Sequence, residues 1–422
     1  MVELSRAGLH VSVSDPVATS MNFLNEVAGR YPDAIPLAAG RPYDGFYATE
    51  DIHHYLSVYT RHLRDGGMSE ERVRGLLLQY GRTNGQLGGL IARMLEVDLD
   101  VVVPPGSVMV TAGCQEAMII ALRGLCAGPD DVVLAADPCY VGLTGAARIL
   151  GVEVVPVPEG PDGLDPATVA EVARRVRADG KRPRALYLVP NFSNPSGVSL
   201  PVAVRRALLD VAADEDLLLL EDDPYGLFGL DDAPRPALKS LDTDGRVLYL
   251  GSFAKSCFPG ARVGFLVADQ VVTDESGART LLADELSAIK SMLTVNTSPI
   301  AQAVIGGVLV AADCSLRAAN RDKVEFYRHN LRTLLAALSE HFPQGGWNAP
   351  AGGFFAVLDV PFPADEKLLE LSAERYGVLW TPMSFFYADG GANAIRLSCS
   401  YLEPDRIAEG VRRLASLVAE TA

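Results

Sequence analysis

The sequence predicts an α/β protein: a large domain built on a mainly parallel seven-stranded sheet flanked by helices, followed by a smaller α+β domain. Three observations carry this reading. Short β-branched or apolar runs alternate with helix-like stretches up to about Ala311. The run Leu217–Leu220 is continuously apolar, as a strand covered on both faces requires. Beyond Ala311 the rhythm gives way to a long charged helix and sparser strands. The length of 422 residues agrees with two units, because single cores rarely grow past ~250–300 residues.

In chain order, the strand-like runs are 108–111, 132–135, 152–156, 185–189, 217–221, 247–250 and 264–267. Helices are expected over 115–126, 166–179 and 201–214, the last two with Pro166 and Pro201 at a first helical position, where a missing N–H costs nothing. The charged helix spans 317–342, strands follow near 353–359 and 394–398, and a helix over 404–419 closes the pattern. The organisation expected is an N-terminal segment 1–50 that joins the smaller domain, a large domain 51–311 and a small domain 312–422.

Apolar residues make up 49% of the chain, enough for a sizeable core, which excludes disordered and collagen-like classes. With 37 basic against 53 acidic side chains the net charge is −16, so neither nucleic acid nor an anionic membrane is an expected partner. Residues 291–312 are uncharged and long, but Asn296, Thr297, Ser298, Pro299 and Gln302 make them too polar for a membrane span; they read as a loop feeding a buried helix. The six cysteines are scattered, without a C-x-x-C pair, as in a cytoplasmic protein with reduced thiols. Residues 1–15 show no apolar signal core. No H-E-x-x-H or H-x-H occurs among six histidines, so no metal is expected.

Five segments carry chemistry. In 247–266 a strand delivers Lys255 at its end, and Arg262 follows seven residues later beside another strand. Lysines usually sit in water, but the flanks Leu250, Gly251, Phe253, Ala254 and Pro259 are apolar or small, and desolvation lowers an amine pKa, as Schiff-base chemistry requires. Ser252-Phe-Ala-Lys255 also satisfies S-x-x-K, yet the S-D-N and K-T-G partners of a serine β-lactamase are missing. The strand 217–221 runs into Glu221, Asp222, Asp223 and Tyr225; one such carboxylate could oppose a protonated ring nitrogen, or simply cap the strand.

Asn191 to Gly197 form a turn with Asn194 before a proline, which on its own is any loop. After strand 108–111, the turn Gly113-Cys114-Gln115 opens a helix whose N–H groups suit a phosphate, and Tyr140 ends the next strand as a stacking plate or a rim tyrosine. Arg396 interrupts an apolar strand; a buried guanidinium needs a partner, whether a substrate carboxylate or a structural ion pair.

In this order, N-P-x-G, then D-x-P-Y, then S-x-x-K with an arginine seven residues on, then a late I-R-L-S, the chain from about Ile35 resembles the fold type I pyridoxal-phosphate aminotransferases of class I/II. It is most similar to the kynurenine/α-aminoadipate aminotransferase branch and to the catalytic domains of MocR-type regulators. The resemblance implies an aspartate aminotransferase-like fold, pyridoxal 5'-phosphate as cofactor, and ping-pong transfer of an amino group between an L-amino acid and a 2-oxo acid.

By the same resemblance, Lys255 forms the Schiff base and shuttles the proton, and Asp222, three residues before Tyr225, pairs with the ring nitrogen. Asn194 and Tyr225 bond the phenolic oxygen, and Tyr140 stacks on the ring. Ser252, Arg262, Gly113, Cys114 and Gln115 hold the phosphate. Arg396, with Gly40 and Asn194, clamps the substrate carboxylate. Tyr80, in Leu78-Gln-Tyr80-Gly, resembles the tyrosine that reaches a neighbouring subunit's phosphate, which implies a homodimer.

There are departures from the family pattern. Ala254 replaces a hydroxyl residue before the lysine, and Met383 stands where T-P-G would have glycine. The segments 21–26 and 40–47 look more like aminotransferases of peptide-antibiotic pathways that make arylglycines or cyclic guanidino amino acids, with the N-terminal segment as substrate lid. Two alternatives share the core residues: another pyridoxal-phosphate reaction, such as elimination, decarboxylation or oxidation, and a ligand-sensing regulatory domain. The chain shows no basic DNA-binding segment before Ile35 for the latter.

Overall fold

A computed structural model describes residues 2–14, 23 and 26–421. Met21, Asn22, Leu24 and Asn25, part of the segment compared with the antibiotic-pathway enzymes, lie outside them. After helix α1 (Thr49–Asp65), the central sheet comprises β1 (Val108–Thr111), β2 (Asp131–Asp137), β3 (Glu153–Gly160), β4 (Gly163–Leu164), β5 (Arg182–Leu188), β6 (Leu218–Asp222), β7 (Val247–Ser252) and β8 (Gly264–Val267), in the order β1-β8-β7-β6-β5-β2-β3-β4.

All seven expected strands are present, within a few residues at each end. The sheet has eight strands rather than seven: two-residue β4 turns back antiparallel on the end of β3, too short to leave a period in the sequence. The pairs among β3, β2, β5, β6 and β7 are parallel, and β8, like β4, runs antiparallel, lying between β7 and β1. The carboxyl ends of β1, β2, β5, β6 and β7 therefore share one edge, the edge at which open α/β sheets bind ligands.

Helices cover both faces: α2 (Cys114–Leu125), α3 (Val141–Leu150), α4 (Pro166–Ala178) and α5 (Val202–Asp214), then α6 (Pro299–Ala311). Asp165 caps α4 by accepting from Thr168 N at 3.0 Å, with Pro166 first in the helix as expected. Pro201, by contrast, is the residue before α5 rather than its first. In 291–312, the loop ends at Ser298, which caps α6, and α6 is mostly buried; no helix among the described residues is long and apolar enough to cross a membrane.

The long charged helix is broken. Leu316–Ala319 forms one turn, and α7 (Arg321–His341) starts after Asn320, whose buried Nδ2 donates to Leu316 O at 2.8 Å. Such a local side-chain bond competes with the helical ladder. Beyond it, β9 (Phe355–Asp359), β10 (Thr381–Pro382) and β11 (Ala394–Ser398) form an antiparallel sheet with β11 central, backed by α8 (Pro404–Thr421). One apolar cluster unites Ile35 and Leu37 of the N-terminal segment with Leu334, Leu358, Ile395 and Val411.

Beneath the turn that opens α2 lies a buried ion pair. Lys290, 0% exposed, donates to Glu116 Oε2 at 3.0 Å and to Thr294 and Thr297, while Glu116 accepts from Ala112 N at 2.5 Å. Removing one partner strands the other charge in the core. Lys290→Met is expected to lower the unfolding free energy by about 3–5 kcal/mol. Adding Glu116→Gln should recover part of that loss, as measured by urea denaturation.

Candidate active site

The shared edge builds one cavity of about 320 Å³. Asp222 ends β6, Ser252 ends β7, Asn194 follows β5, Tyr140 follows β2, and Cys114 and Gln115 follow β1; each strand end thus delivers one part of the lining. Lys255, Arg262, Tyr225, Gly40 and Arg396, also expected, line the same space. Gly113 sits at φ 82°, and a Cβ there would lie 2.4 Å from Arg262 Nη2, so only glycine lets the guanidinium reach the start of α2. Arg262 itself is left-handed, at φ 52°.

Lys255 is the amine expected from its flanks. Its Nζ donates to Gly40 O at 2.6 Å, not to Ser252, whose hydroxyl accepts from Ala254 N at 3.2 Å. The serine–lysine pair of the S-x-x-K reading is therefore not formed. Burial, reinforced by Arg396 and Arg262, lowers the Lys255 pKa from 10.5 to about 8. Among the described residues Asp222 is the one carboxylate in the lining, and burial raises it to about 6. Asp223 turns elsewhere: it accepts from Asn191 Nδ2 at 3.0 Å and from Gly226 N.

Arg396 is bonded to neutral groups. Its Nη1 donates to Asn194 Oδ1 at 2.5 Å, and its Nη2 to Ala38 O at 2.8 Å and Thr381 Oγ1 at 3.2 Å. It forms no ion pair with an acidic side chain among the described residues, and its buried Nε has no partner. Burial lowers its pKa to about 10. The guanidinium lies between the rings of Phe355 and Phe386, 4.3 and 4.8 Å from their centroids. Met383 packs with Phe386 and Val141 behind the lining.

Tyr80 is not in this cavity; it is 85% exposed on the surface of the chain. Sequence reasoning missed Tyr187, whose hydroxyl donates to Asp222 Oδ2 at 2.7 Å, and the flanking rings Phe355 and Phe386. The first two become visible only once the strand registers are known: Tyr187 pairs with Leu220 across β5 and β6, so Asp222 is its diagonal neighbour on the same face, and Phe355 stands likewise two residues from the partner of Arg396. Phe386 follows a short helical turn and left no signal.

The family model for class I and II aminotransferases matches residues 79–414, and the chain belongs to that family. It is an aminotransferase. It is 49% identical over 421 residues to an (S)-3,5-dihydroxyphenylglycine transaminase of Amycolatopsis orientalis, covering 99% of this chain and 95% of the relative. Its fold matches that of a kynurenine aminotransferase from Pyrococcus horikoshii, solved with PMP, at a TM-score of 0.83 and 27% identity over 99% and 97% of the two chains. It also matches an α-aminoadipate aminotransferase from Thermus thermophilus, complexed with N-(5'-phosphopyridoxyl)-L-leucine, at a TM-score of 0.80 and 29% identity over 99% of each chain.

The depressed Lys255 pKa has two consequences. The folded protein holds this proton less tightly than the unfolded chain, so stability contributed by the site rises between pH 8 and 10.5, and the full cost of the buried charge is felt below pH 8. In cofactor-free protein, acylation of Lys255 followed by peptide mass spectrometry is expected to reach half its maximal rate near pH 8, against 10.5 for an ordinary lysine.

Proposed function

We propose that this aminotransferase uses pyridoxal 5'-phosphate, attached at Lys255, to interconvert a phenolic arylglycine and its 2-oxo acid. The observation that carries the cofactor assignment is Lys255 itself: a half-buried amine with a lowered pKa, no carboxylate partner among the described residues, and a single buried carboxylate, Asp222, in the same lining. The other groups fit. The orphan Arg396 Nε calls for an anion, and the glycine cradle at Gly113 brings Arg262 against a helix N-terminus, a phosphate-binding arrangement.

When bound, the cofactor supplies an electron sink for negative charge developing at the substrate Cα. The chain's own residues do the rest. Asp222 would pair with the ring nitrogen, Asn194 and Tyr225 would bond the phenolic oxygen, and Tyr140 would stack on the ring. Ser252, Arg262 and the backbone N–H groups of residues 113–115 would hold the phosphate, with Ala254 offering no hydroxyl of its own. Arg396, oriented by Asn194 and Thr381, binds the substrate α-carboxylate. The Lys255 amine, neutral above about pH 8, takes the proton from the substrate Cα and returns it on the other side of the exchange.

Charge supports the arylglycine side chain over a cyclic guanidino one. Among the described residues Arg41 is the one charged residue of the lining with no role towards the cofactor or the substrate carboxylate, so a cationic side chain would meet a charge of its own sign. Aromatic and aliphatic neighbours, Tyr140, Val141, Phe355 and Phe386, suit a ring. The high identity to the dihydroxyphenylglycine transaminase points the same way. We read the working unit as a homodimer in which exposed Tyr80, with Leu78 and Met292 similarly exposed, meets the partner. Residues 1–50, 51–311 and 312–422 are read as its lid-bearing segment, large domain and small domain.

Lys255→Ala should abolish turnover and the borohydride-fixed pyridoxyl mass on residue 255 while leaving the circular dichroism spectrum unchanged; retained activity would end the assignment. A second test is a panel of 2-oxo acids read by mass spectrometry of both products. A phenolic arylglyoxylate should exceed the others in kcat/KM by at least about tenfold, the discrimination that pocket contacts of ~1–3 kcal/mol give. Best turnover with aminoadipate- or kynurenine-derived acids would refute the side-chain assignment.

A further inference from the structure

Asp222 is held from two directions. On the cavity side, Cys114 Sγ lies 3.5 Å from Oδ1. From within the sheet, Tyr187 Oη donates to Oδ2 at 2.7 Å. Tyr187 is 2% exposed and does not reach the cavity; β5 carries it beneath the site, and its phenol has no other hydrogen-bond partner among the described residues. We propose that Tyr187 is a positioning residue that pins Oδ2 of Asp222, turns Oδ1 towards the cofactor's ring nitrogen and keeps the carboxyl ionised for that contact. This rests on the reading that Asp222 pairs with the ring nitrogen.

The physical case has three parts. The terminal torsion of an aspartate is broad and roughly two-fold, so an untethered carboxyl could present either oxygen or neither in line with a ring N–H. A hydrogen bond from a neutral donor to a carboxylate favours the charged form. Here that bond opposes burial, the larger effect, which leaves Asp222 raised to about 6.

No lysine or arginine forms an ion pair with Asp222 among the described residues. Asp223, Cys139, Tyr140, Tyr225 and Tyr249, which are acidic or neutral, interact with it, while Lys255, Arg262 and Arg396 share the lining without pairing with it. The remaining donor, the Cys114 thiol, is a weak one. Burial also holds the Tyr187 phenol well above its ordinary range, so it remains a donor throughout the working pH range.

The test is binding, not turnover. Cofactor-free wild type, Tyr187→Phe, Asp222→Ala and the double variant are titrated with pyridoxal phosphate and with its analogue carrying carbon in place of the ring nitrogen. Tyr187→Phe should weaken pyridoxal phosphate on the order of 10- to 100-fold, the range for a hydrogen bond to a charged group. It should leave the analogue within about twofold of wild type.

In the Asp222→Ala background the tyrosine substitution should add nothing. Equal losses for both ligands would make Tyr187 a packing residue and overturn the proposal, as would no loss for either. If Asp222→Ala itself fails to erase the preference for the ring nitrogen, the pairing of Asp222 is what falls. Near-ultraviolet circular dichroism of each variant registers whether the fold is intact.

Discussion

Everything in the site turns on an imbalance of charge. Buried Arg396, half-buried Lys255 and exposed Arg262 converge on a lining with one carboxylate among the described residues, and none of the three is neutralised there by a protein acid. Burying cations without counter-charges is costly, and folding supplies only stopgaps: the carbonyls of Gly40 and Ala38, the amide of Asn194, and two aromatic faces. A ligand with two separated anionic groups and a basic ring nitrogen would relieve the imbalance at every point. The low amine pKa and the incomplete coordination of Arg396 are two expressions of this one arrangement.

The sheet is what brings the parts together. Parallel neighbours have their carboxyl ends on one edge, so a residue placed just after each strand arrives at the site regardless of its distance along the chain. Asn194 and Arg396 are 202 positions apart and share a hydrogen bond. Antiparallel β8 adds its start rather than its end at that edge, and this is where Arg262 stands.

That geometry also explains what can be read from the residues alone. Strands 108–111 and 264–267 are legible to the residue because their apolar runs are bounded by small or turn residues, and Lys255, Asp222 and Arg396 stand out as polar groups against apolar flanks. Contacts across elements are not legible in the same way. Tyr187 looks like any strand tyrosine until the register with β6 is known, and Phe386 sits in a turn without periodicity. The break at Asn320 hides inside a helical charge pattern, because one side-chain hydrogen bond outweighs a propensity signal there.

The N-terminal segment bears directly on how the substrate range could be changed. A Cβ at Gly40 would fall 2.6 Å from the tip of the Phe355 ring, which in turn lies against the Arg396 guanidinium. Residue 40 and residue 355 are thus one lock in two pieces. Anyone seeking to widen the range of acids accepted by engineering would have to alter both together, since enlarging the first alone would shove the aromatic plate aside and unseat the carboxylate anchor with it.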